Sequence, residues 1–365
     1  MPSRKRILHI APINTSNVPG SFVQAERRLG FDSRLVTLFR DPRHYFQDIC
    51  LDLPFIDFAP TRWIKKMVSS PQRLTVDNIL RIPKEIPRVW KPHSRQERLL
   101  VNLRDRWWRP RIEKAIQKYD LDRFDIIQLD GGLGLYRNSS FVLDMHRAGK
   151  TILCCYTGSD LRTRGVIPAI DSVSQANFSV EFDHLYLHPR IEHVFFPFDA
   201  TLFEIKRSSH CKEDPVIIGH APTNWFAKGS HMIVPVVNQL EKEYNLKFSL
   251  IENLPHKEAL RRKAECDIFI DQIGDLGYGI NSLESLAMGI VTCSCLAPGF
   301  ADQYPDHPFV EINEHNLRDQ LLGLIEDTHK RNDLGEYGAS WVRRVHDAEN
   351  SVKKIHAKIG LDGPE

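Results

Sequence analysis

The second half of the chain alternates short apolar runs with longer amphipathic segments. β-branched and other apolar residues fill four runs, at 216–219, 248–251, 266–271 and 290–295. Amphipathic segments of about ten or more residues separate these runs. Such alternation is typical of βαβ units, so it predicts a parallel sheet covered by helices. Ligands bind such sheets where the strands end, and polar residues and glycines cluster there at 220–229, 252–253 and 271–279.

The first half shows the same alternation around an irregular middle. The pattern predicts strands at 6–12, 33–38, 125–129 and 151–156, with helices at 21–30 and 139–148. Further helices are expected at 314–328 and 334–358, after a last strand at 309–312. A chain of 365 residues is long enough for two domains with separate cores. The pattern therefore predicts two α/β domains in one chain.

The segment 41–111 interrupts this rhythm and is basic. Between 62 and 111 there are fourteen Lys or Arg against four Asp or Glu, interleaved with Trp63, Trp90, Trp107 and Trp108. This composition suits an anionic membrane surface or a lipid-linked, phosphate-bearing acceptor, and nucleic acid is the other partner with matching charge. A solvated basic helix with buried tryptophans explains it equally well.

A helix over 97–118 is expected within this segment. Leu99, Leu103, Trp107 and Ile112 are predicted to lie near one face of it.

Composition narrows the class of protein. The net charge of +2, 42% hydrophobic residues and 26% charged residues are those of a water-soluble globular chain. No apolar run is long enough to span a membrane, and the N-terminus lacks the pattern of a signal peptide, so a cytoplasmic protein is expected. Seven cysteines without a C-x-x-C pair indicate reduced thiols. His184, His188 and His193 flank Pro189, and their spacing does not favour a metal site.

Candidate chemistry centres on the glycines before the segment 280–288. Gly277 and Gly279 allow a ligand to approach the backbone, and the N–H groups of the following helical turn favour an anion such as phosphate. Lys228, on another strand-end loop, would neutralise the same anion. Glu284 lies about one turn inside the helix, where a carboxylate can bind a pair of sugar hydroxyls. A tight strand-to-helix turn with a solvated Glu is the alternative.

Residues 215–300 resemble the donor-binding half of GT-B glycosyltransferases, most closely the family 4 type. The resemblance rests on Lys228-Gly229, on Gly277-Tyr278-Gly279, and on Leu283-Glu284-Ser285-Leu286-Ala287-Met288-Gly289. The stretches HAPTNWFAKGS, ENLPH and DQ…GYG are similar to a bacterial subgroup. The resemblance implies the GT-B fold, in which two Rossmann-like domains face a cleft and a C-terminal helix crosses back to the first domain.

The resemblance also implies roles for single residues. Lys228 would bind the donor diphosphate, Glu284 the ribose, and Asn224 would take over part of the diphosphate binding. Lys228, Asp160 and Glu284 are the candidate catalytic residues. The expected donor-binding residues are Gly20, Asn224, Lys228, Glu252, Asp271, Gly277, Tyr278, Gly279, Ile280, Asn281 and Glu284.

Two positions depart from the family pattern. Leu276 stands where the family has a second Glu, and Thr223 where it has an Arg. Asp275 or Asp271 is a candidate replacement for the missing carboxylate. These departures leave the expected fold unchanged and leave the identity of the donor open.

The first half carries a related motif. Thr157-Gly158-Ser159-Asp160-Leu161-Arg162 resembles the His-Gly-Ser-Asp-Leu-Arg stretch of the same subgroup. Thr157 and Arg162 are therefore acceptor-side candidates, and Asp160 would line the cleft, or cap the following segment. Pro19 and Gly20 are expected just ahead of the first helix, in a loop facing the donor phosphates.

The expected domains are an acceptor domain at 1–200, containing the basic insertion at about 41–111, a donor domain at 201–340, and a crossover helix at 341–365. The prediction is a nucleotide-sugar-dependent glycosyltransferase with no cofactor and no divalent metal, retaining anomeric configuration. A role in surface polysaccharide or glycolipid assembly follows from the resemblance, with possible peripheral attachment to the inner face of the membrane. Three alternatives remain open: a nucleotide-sugar epimerase on the same fold, a catalytically silent binding protein, and a nucleic-acid-modifying transferase.

Overall fold

The computed structural model describes residues 5–41, 43, 45–54, 79–80, 87–90, 95–205, 214–274 and 276–361. The chain divides into two compact units. Unit 1 contains the described residues up to 197, except 79–80, together with 348–361. Unit 2 contains residues 79–80 and the described residues from 198 to 347. Much of the basic segment, including Trp63, lies outside the described residues, as do Asp275 and most of the stretch between 206 and 214.

Unit 1 is built on a seven-stranded sheet in which every neighbouring pair is parallel. The strand order is β3-β2-β1-β4-β5-β6-β7. The strands are β1 (Arg6–Ala11), β2 (Asp32–Thr37), β3 (Ile49–Cys50), β4 (Ile126–Asp130), β5 (Thr151–Tyr156), β6 (Ala176–Ser179) and β7 (Ile191–His193). The order reverses between β1 and β4, which is the arrangement of a doubly wound, Rossmann-like sheet.

Unit 2 is built on a five-stranded parallel sheet. Its strands, in the order β12-β11-β10-β8-β9, are β8 (Val216–His220), β9 (Leu246–Leu250), β10 (Ile268–Gln272), β11 (Val291–Ser294) and β12 (Val310–Glu311). All five overlap a predicted apolar run. Isoleucine, valine and leucine side chains from these strands and the covering helices form the core, for example Ile218, Ile268 and Leu321.

The helices cover both sheets. They are α1 (Val18–Arg28), α2 (Arg95–Tyr119), α3 (Ser140–Arg147), α4 (Pro168–Asp171), α5 (Trp225–Lys228), α6 (Ser230–Glu243), α7 (His256–Ala264), α8 (Ile280–Ala287), α9 (Phe300–Gln303), α10 (Leu317–Ile325), α11 (Thr328–Val345) and α12 (Ala348–Lys358). The last helix, α12, belongs to unit 1 and packs against α1. Among the described residues, no helix combines the length and the apolar character that crossing a membrane requires.

Three predicted helix boundaries are wrong. Helix α1 starts at Val18, so Pro19 and Gly20 lie in its first turn, where proline is well tolerated because the first N–H groups have no acceptor inside the helix. The helix predicted over 334–358 is two helices, separated at His346 and Asp347, which bond to the backbone of Phe198. The helix predicted over 314–328 spans only Leu317–Ile325.

The predicted buried face of α2 is also wrong. Leu99, Leu103 and Trp107 are 62%, 63% and 65% exposed. The buried residues of this helix are Asp105, Trp108, Ile112 and Ala115. These positions repeat every three or four residues. At about 100° per residue, Leu99, Leu103 and Trp107 lie on the opposite side of the helix, so Ile112 is the member of the predicted set that is buried.

Candidate functional site

The loop after β8 positions Lys228 in unit 2. Asn224 is the N-cap of α5, and its Oδ1 accepts hydrogen bonds from the N–H groups of Phe226 and Ala227 at 3.0 and 3.1 Å. Gly229 then adopts a left-handed conformation (φ 69°) between α5 and α6. A side chain there would meet the backbone of Gly274, so this turn requires glycine. Asn224 therefore organises the turn that carries Lys228.

Lys228 forms an ion pair with Asp271 at the end of β10. Lys228 Nζ lies 2.7 Å from Asp271 Oδ1, and the Asp271 side chain is fully buried while 13% of the Lys228 side chain is exposed. Asp271 Oδ2 accepts from the N–H of Gly279 at 2.9 Å and from Ser282 Oγ at 2.8 Å. Burial alone would raise the pKa of Asp271, but the charge of Lys228 and these hydrogen bonds hold it below its usual value.

Asp271 accepts a hydrogen bond from the N–H of Gly279, so the N–H groups that were expected to meet phosphate are those that follow it. The next two N–H groups, of Ile280 and Asn281, lie in the first turn of α8 and have no acceptor within the helix. A Cβ on Gly279 would lie 3.7 Å from both Lys228 Nζ and Asp271 Oδ2, so glycine keeps this face of the ion pair open. The start of α8 thus combines an ammonium group with helix-end N–H donors.

Glu284 is fixed by two side chains that the sequence did not indicate. Its Oε1 lies 2.8 Å from His256 Nε2, and its Oε2 lies 2.5 Å from Lys263 Nζ. Lys263 is 1% exposed, also donates to Asn281 Oδ1 at 2.8 Å, and lies 4.7 Å over the ring of Phe269. Burial would raise the pKa of Glu284, and the charge of Lys263 together with His256 lowers it. This carboxylate is therefore ionised and held in place.

Three further expected donor-binding residues have other surroundings. Tyr278 is 5% exposed, stacks on Phe309 and hydrogen bonds through its hydroxyl to His346 Nε2 at 3.2 Å, which places it in the core of unit 2. Gly277 has a φ of 130° and accepts through its carbonyl from Gln272. Glu252 accepts from the indole N–H of Trp225.

The two family departures differ in burial. Leu276 is 4% exposed and belongs to the core, whereas Thr223 is exposed.

The candidate residues of unit 1 form a compact loop after β5. Asp160 accepts hydrogen bonds from the backbone N–H groups of Thr157, Gly158 and Leu161 at 2.9, 3.0 and 2.7 Å, and from the Thr157 hydroxyl at 3.2 Å. Arg162 contacts Asp183 at 2.8 and 2.6 Å and Glu181 at 2.8 Å. These contacts give Asp160 and Arg162 a clear structural role in shaping the loop.

Gly20 is held inside the fold of unit 1. Its N–H donates to Asn14 Oδ1 at 3.0 Å, and Asn14 is fully buried. A Cβ at position 20 would come within 2.7 Å of the Asn14 and Asn17 side chains. The close approach of these asparagines explains the glycine at this position without a ligand.

A buried charge network under the sheet of unit 1 was not predicted. His9 Nδ1 and Nε2 lie 2.9 Å from Asp130 Oδ2 and Glu26 Oε2 respectively. Glu26 Oε1 lies 3.0 Å from His356 Nε2 in α12, and Ser33 Oγ donates to Glu26 Oε2. Burial lowers the pKa of His9, but the two carboxylates outweigh it and raise the value to about 10. His9 is therefore a buried cation that connects β1, α1 and β4.

The described residues contain no group of three or more His, Cys, Asp or Glu side chains arranged to hold a metal ion. His184 bonds to Ser179 Oγ and the carbonyl of Gly158, and His188 bonds to Asp171. His193 packs edge-on against Phe182 and Phe195.

Two doubly wound units, with the last helix returning to the first, define the class: the chain has the GT-B fold. It is similar to sucrose-phosphate synthase from Thermosynechococcus elongatus at a TM-score of 0.59 and 12% identity, over 98% of both chains. It is also similar to the lipopolysaccharide outer core galactosyltransferase WaaB (TM-score 0.57, 10% identity, 97% of this chain and 99% of that one). The UDP-GlcNAc 2-epimerase of Neisseria meningitidis, solved with UDP-GlcNAc, matches at a TM-score of 0.51 and 11% identity, over 97% and 99% of the chains.

No protein-family profile matches the sequence, and neither does any curated protein. At identities of 10–12%, these likenesses establish the fold.

Proposed function

We propose that the protein is a glycosyltransferase that moves a sugar from a nucleotide-diphosphate donor to an acceptor hydroxyl. The observation that carries the proposal is that Lys228 and Glu284 are both held at α8, each by its own partners. The fold is shared with a galactosyltransferase and a UDP-GlcNAc-binding epimerase. Two different ligand-binding functions meet at α8: a cation with helix-end N–H groups for phosphate, and an ionised carboxylate for sugar hydroxyls.

Lys228 is the part of the ion pair that faces solvent. Since Asp271 is fully buried and Lys228 is partly exposed, a diphosphate entering the site meets the ammonium group first. Asp271 fixes the position of that ammonium, so little reorganisation is needed when charge grows on the leaving diphosphate. The N–H groups of Ile280 and Asn281 add to this stabilisation. We infer that these groups do the work that a divalent metal does in other transferases.

Glu284 supplies recognition of the nucleotide. Its oxygens are fixed by His256 and Lys263, and a carboxylate of this kind accepts hydrogen bonds from the two ribose hydroxyls. Because Lys263 neutralises its charge within the core, Glu284 can stay ionised without repelling the diphosphate strongly. We assign Lys228 to the diphosphate and Glu284 to the ribose, with Asn224 organising the intervening turn.

The proposal further includes retention of configuration, a glycan or lipid-linked acceptor, and a role in surface polysaccharide or glycolipid assembly. It places the protein in the cytoplasm or at the inner membrane face. Asp160 and Arg162 would act by shaping the acceptor-side loop. Nucleic acid is not the expected acceptor.

The test is a thermal-shift screen of the full chain against UDP-, GDP-, ADP- and CDP-sugars, with and without EDTA. A ligand that binds only the folded state raises the melting temperature. We expect one nucleotide to give a shift that EDTA does not change, and that Lys228→Ala and Glu284→Gln abolish. Lys242→Ala, which removes an exposed lysine of α6, is the matched control and should keep the shift. No shift with any nucleotide would overturn the proposal.

Turnover assays with the binding nucleotide-sugar then separate the remaining functions. Transfer to an acceptor, with the anomeric configuration of the product read by NMR, supports the transferase. Conversion of the donor sugar to its epimer without any acceptor identifies an epimerase instead. Binding with neither transfer nor donor hydrolysis identifies a silent binding protein.

A further inference from the structure

Unit 1 contains a group of three arginines that outnumber the carboxylates acting on Arg137 in the described part of the chain. Arg104 lies on α2, Arg137 follows β4, and Arg164 ends the turn after β5. The carboxylate among them is Asp105, which is 6% exposed. Its Oδ1 accepts from Arg104 Nη2 at 2.8 Å, whereas its Oδ2 accepts from the backbone N–H groups of Arg137 and Asn138 at 2.9 and 3.4 Å. Asp105 therefore fixes the backbone of Arg137 without pairing with its guanidinium group.

The guanidinium groups have buried N–H donors that remain unused. Nε and Nη1 of Arg137 and Nε of Arg104 are inaccessible to solvent and have no hydrogen-bond partner among the described residues. A buried donor without an acceptor costs about 1–3 kcal/mol, and more for a charged group, so such donors are rare in folded proteins unless ordered water, an ion or a ligand satisfies them.

The surroundings hold these side chains in place. The Arg137 guanidinium lies 5.0 Å from the ring of Trp90. The backbone N–H of Trp90 donates to the carbonyl of Val166 at 2.8 Å. The Arg104 guanidinium lies 4.4 Å from the ring of Trp108. Arg164 donates to the carbonyl of Gly131, in the turn that ends β4. The three cations are thus anchored at the end of the sheet where ligands bind in doubly wound units.

The electrostatic balance points the same way. Burial and the positive charges of Arg164 and Arg104 lower the pKa of Arg137 to about 9, and the opposing influences of Asp105 and Glu97 are smaller. Three guanidinium groups against the carboxylates of Asp105 and Glu97 leave about one net positive charge, and a phosphate monoester carries about −1.5 to −2 near pH 7. Planar guanidinium groups also match the oxygen geometry of phosphate better than an ammonium does.

We propose that Arg104, Arg137 and Arg164 form a binding site for a phosphate group in unit 1. Its assignment to the acceptor substrate, as the phosphate of a phosphorylated sugar or of a lipid-linked sugar, rests on the transferase function proposed above. The site itself stands on the unused donors and the excess charge, and it is separate from Lys228 and Glu284 in unit 2.

The experiment is a thermal-shift titration of the full chain with inorganic phosphate against chloride at equal ionic strength. We expect a rise of about 2–4 °C once phosphate reaches several times its Kd. In the Lys228→Ala background, where the donor site no longer binds phosphate, Arg137→Met should abolish this rise. Because it removes an uncompensated buried charge, Arg137→Met should melt no lower than its parent in chloride. Arg137→Lys keeps the charge but loses the forked geometry, and should weaken phosphate binding at least about tenfold.

Two control variants make the outcome decisive. Arg147→Gln removes an exposed arginine of unit 1 and should keep the phosphate shift. Lys228→Ala removes phosphate binding at the proposed donor site and should keep the part of the shift that depends on Arg137. Loss of the whole shift in this variant would place the phosphate in unit 2 and overturn the proposal. An unchanged shift in both Arg137 variants, or none in the wild type, would also overturn it. If phosphate gives this shift but no nucleotide-sugar gives one in the earlier screen, the phosphate site is supported and the proposed transferase function is contradicted.

Glucose 1-phosphate and decyl phosphate, the latter used below its critical micelle concentration, distinguish the source of the phosphate. Tighter binding of the sugar phosphate indicates a water-soluble acceptor. Tighter binding of decyl phosphate indicates a lipid-linked one.

Discussion

His9 and His220 occupy comparable places in the two units, yet His9 is charged and His220 is neutral. Each lies on the first strand of its unit, which has a neighbouring strand on both sides, and is fully buried. His9 contacts Glu26 and Asp130, which raise its pKa to about 10 against the effect of burial. His220 bonds to the carbonyl of Ile270 and to Ser230 Oγ, both at 2.8 Å, and burial lowers its pKa. The neighbouring groups, not the position in the fold, decide which histidine carries a charge.

The largest expected effect is that of His9→Gln. The variant leaves Glu26 and Asp130 buried without the cation between them, so we expect a loss of about 3–5 kcal/mol in the free energy of unfolding. His220→Gln breaks hydrogen bonds of an uncharged ring and should cost less, about 1–3 kcal/mol. Urea denaturation of both variants at pH 7 measures the difference. Equal losses would contradict the opposite charge states inferred for the two histidines.

Lys263→Met extends the comparison to the buried ion pair of unit 2. Glu284 would lose its buried ammonium partner but keep the bond from His256. We therefore expect the free energy of unfolding to fall by about 3 kcal/mol, the low end of the range for breaking a buried ion pair. Adding Glu284→Gln should recover part of the loss, because the double variant no longer buries an unpaired charge. The measurement is a double-mutant cycle by urea denaturation, with Lys242→Met as the exposed control. Strict additivity would show that the two charges do not interact.

The contributions of the two histidines to the free energy of unfolding should depend on pH in opposite directions. The pKa of His9 is raised, so its stabilisation is fully present below its ordinary value of 6.5 and is lost as the pH rises towards 10. The pKa of His220 is lowered, so its contribution is present above pH 6.5 and is lost as the pH falls.

Unfolding free energies at half-unit intervals from pH 5 to 9.5 test this. We expect His9→Gln to flatten the decline above pH 7, and His220→Gln to flatten the change between pH 5 and 6.5. The pKa of Glu26 is lowered from 4.5 to about 2, so its own contribution is lost only below this range. An unchanged slope above pH 7 in His9→Gln would contradict a protonated His9.

Most strands were predictable because buried parallel strands leave continuous apolar runs, as in β10 (Ile268–Gln272) and β5 (Thr151–Tyr156). The three short strands β3, β6 and β7 were not predicted. Helix ends were less accurate. The break at His346 depends on bonds to Phe198, which is distant in the sequence, and no local pattern marks it. Similarly, the buried face of α2 depends on which elements pack against it.

The candidate site was predictable only where one short segment contains it. Asn224 and Lys228 share one loop, and the resemblance indicated both. Lys263 and Glu284 lie 21 positions apart, and His9 and Asp130 lie 121 apart, so the fold alone brings them together. An alternating sequence pattern records which side chains are buried, but it does not record which buried charges meet. Tyr278 shows the limit most clearly, since its motif suggested a ligand and its ring packs in the core.

The smallest expected effect is that of Asn224→Ala. This variant tests whether Asn224 positions Lys228 for ligand binding or only stabilises the fold. Loss of the cap should cost about 1 kcal/mol in the free energy of unfolding. Asp327→Ala removes another side-chain cap of unit 2, at the start of α11, and should cost a similar amount. If Asn224 holds the turn that presents Lys228, only Asn224→Ala should also weaken the nucleotide-dependent thermal shift. Equal nucleotide shifts in the two variants would limit Asn224 to a structural role, because loss of a cap alone would then account for its whole effect.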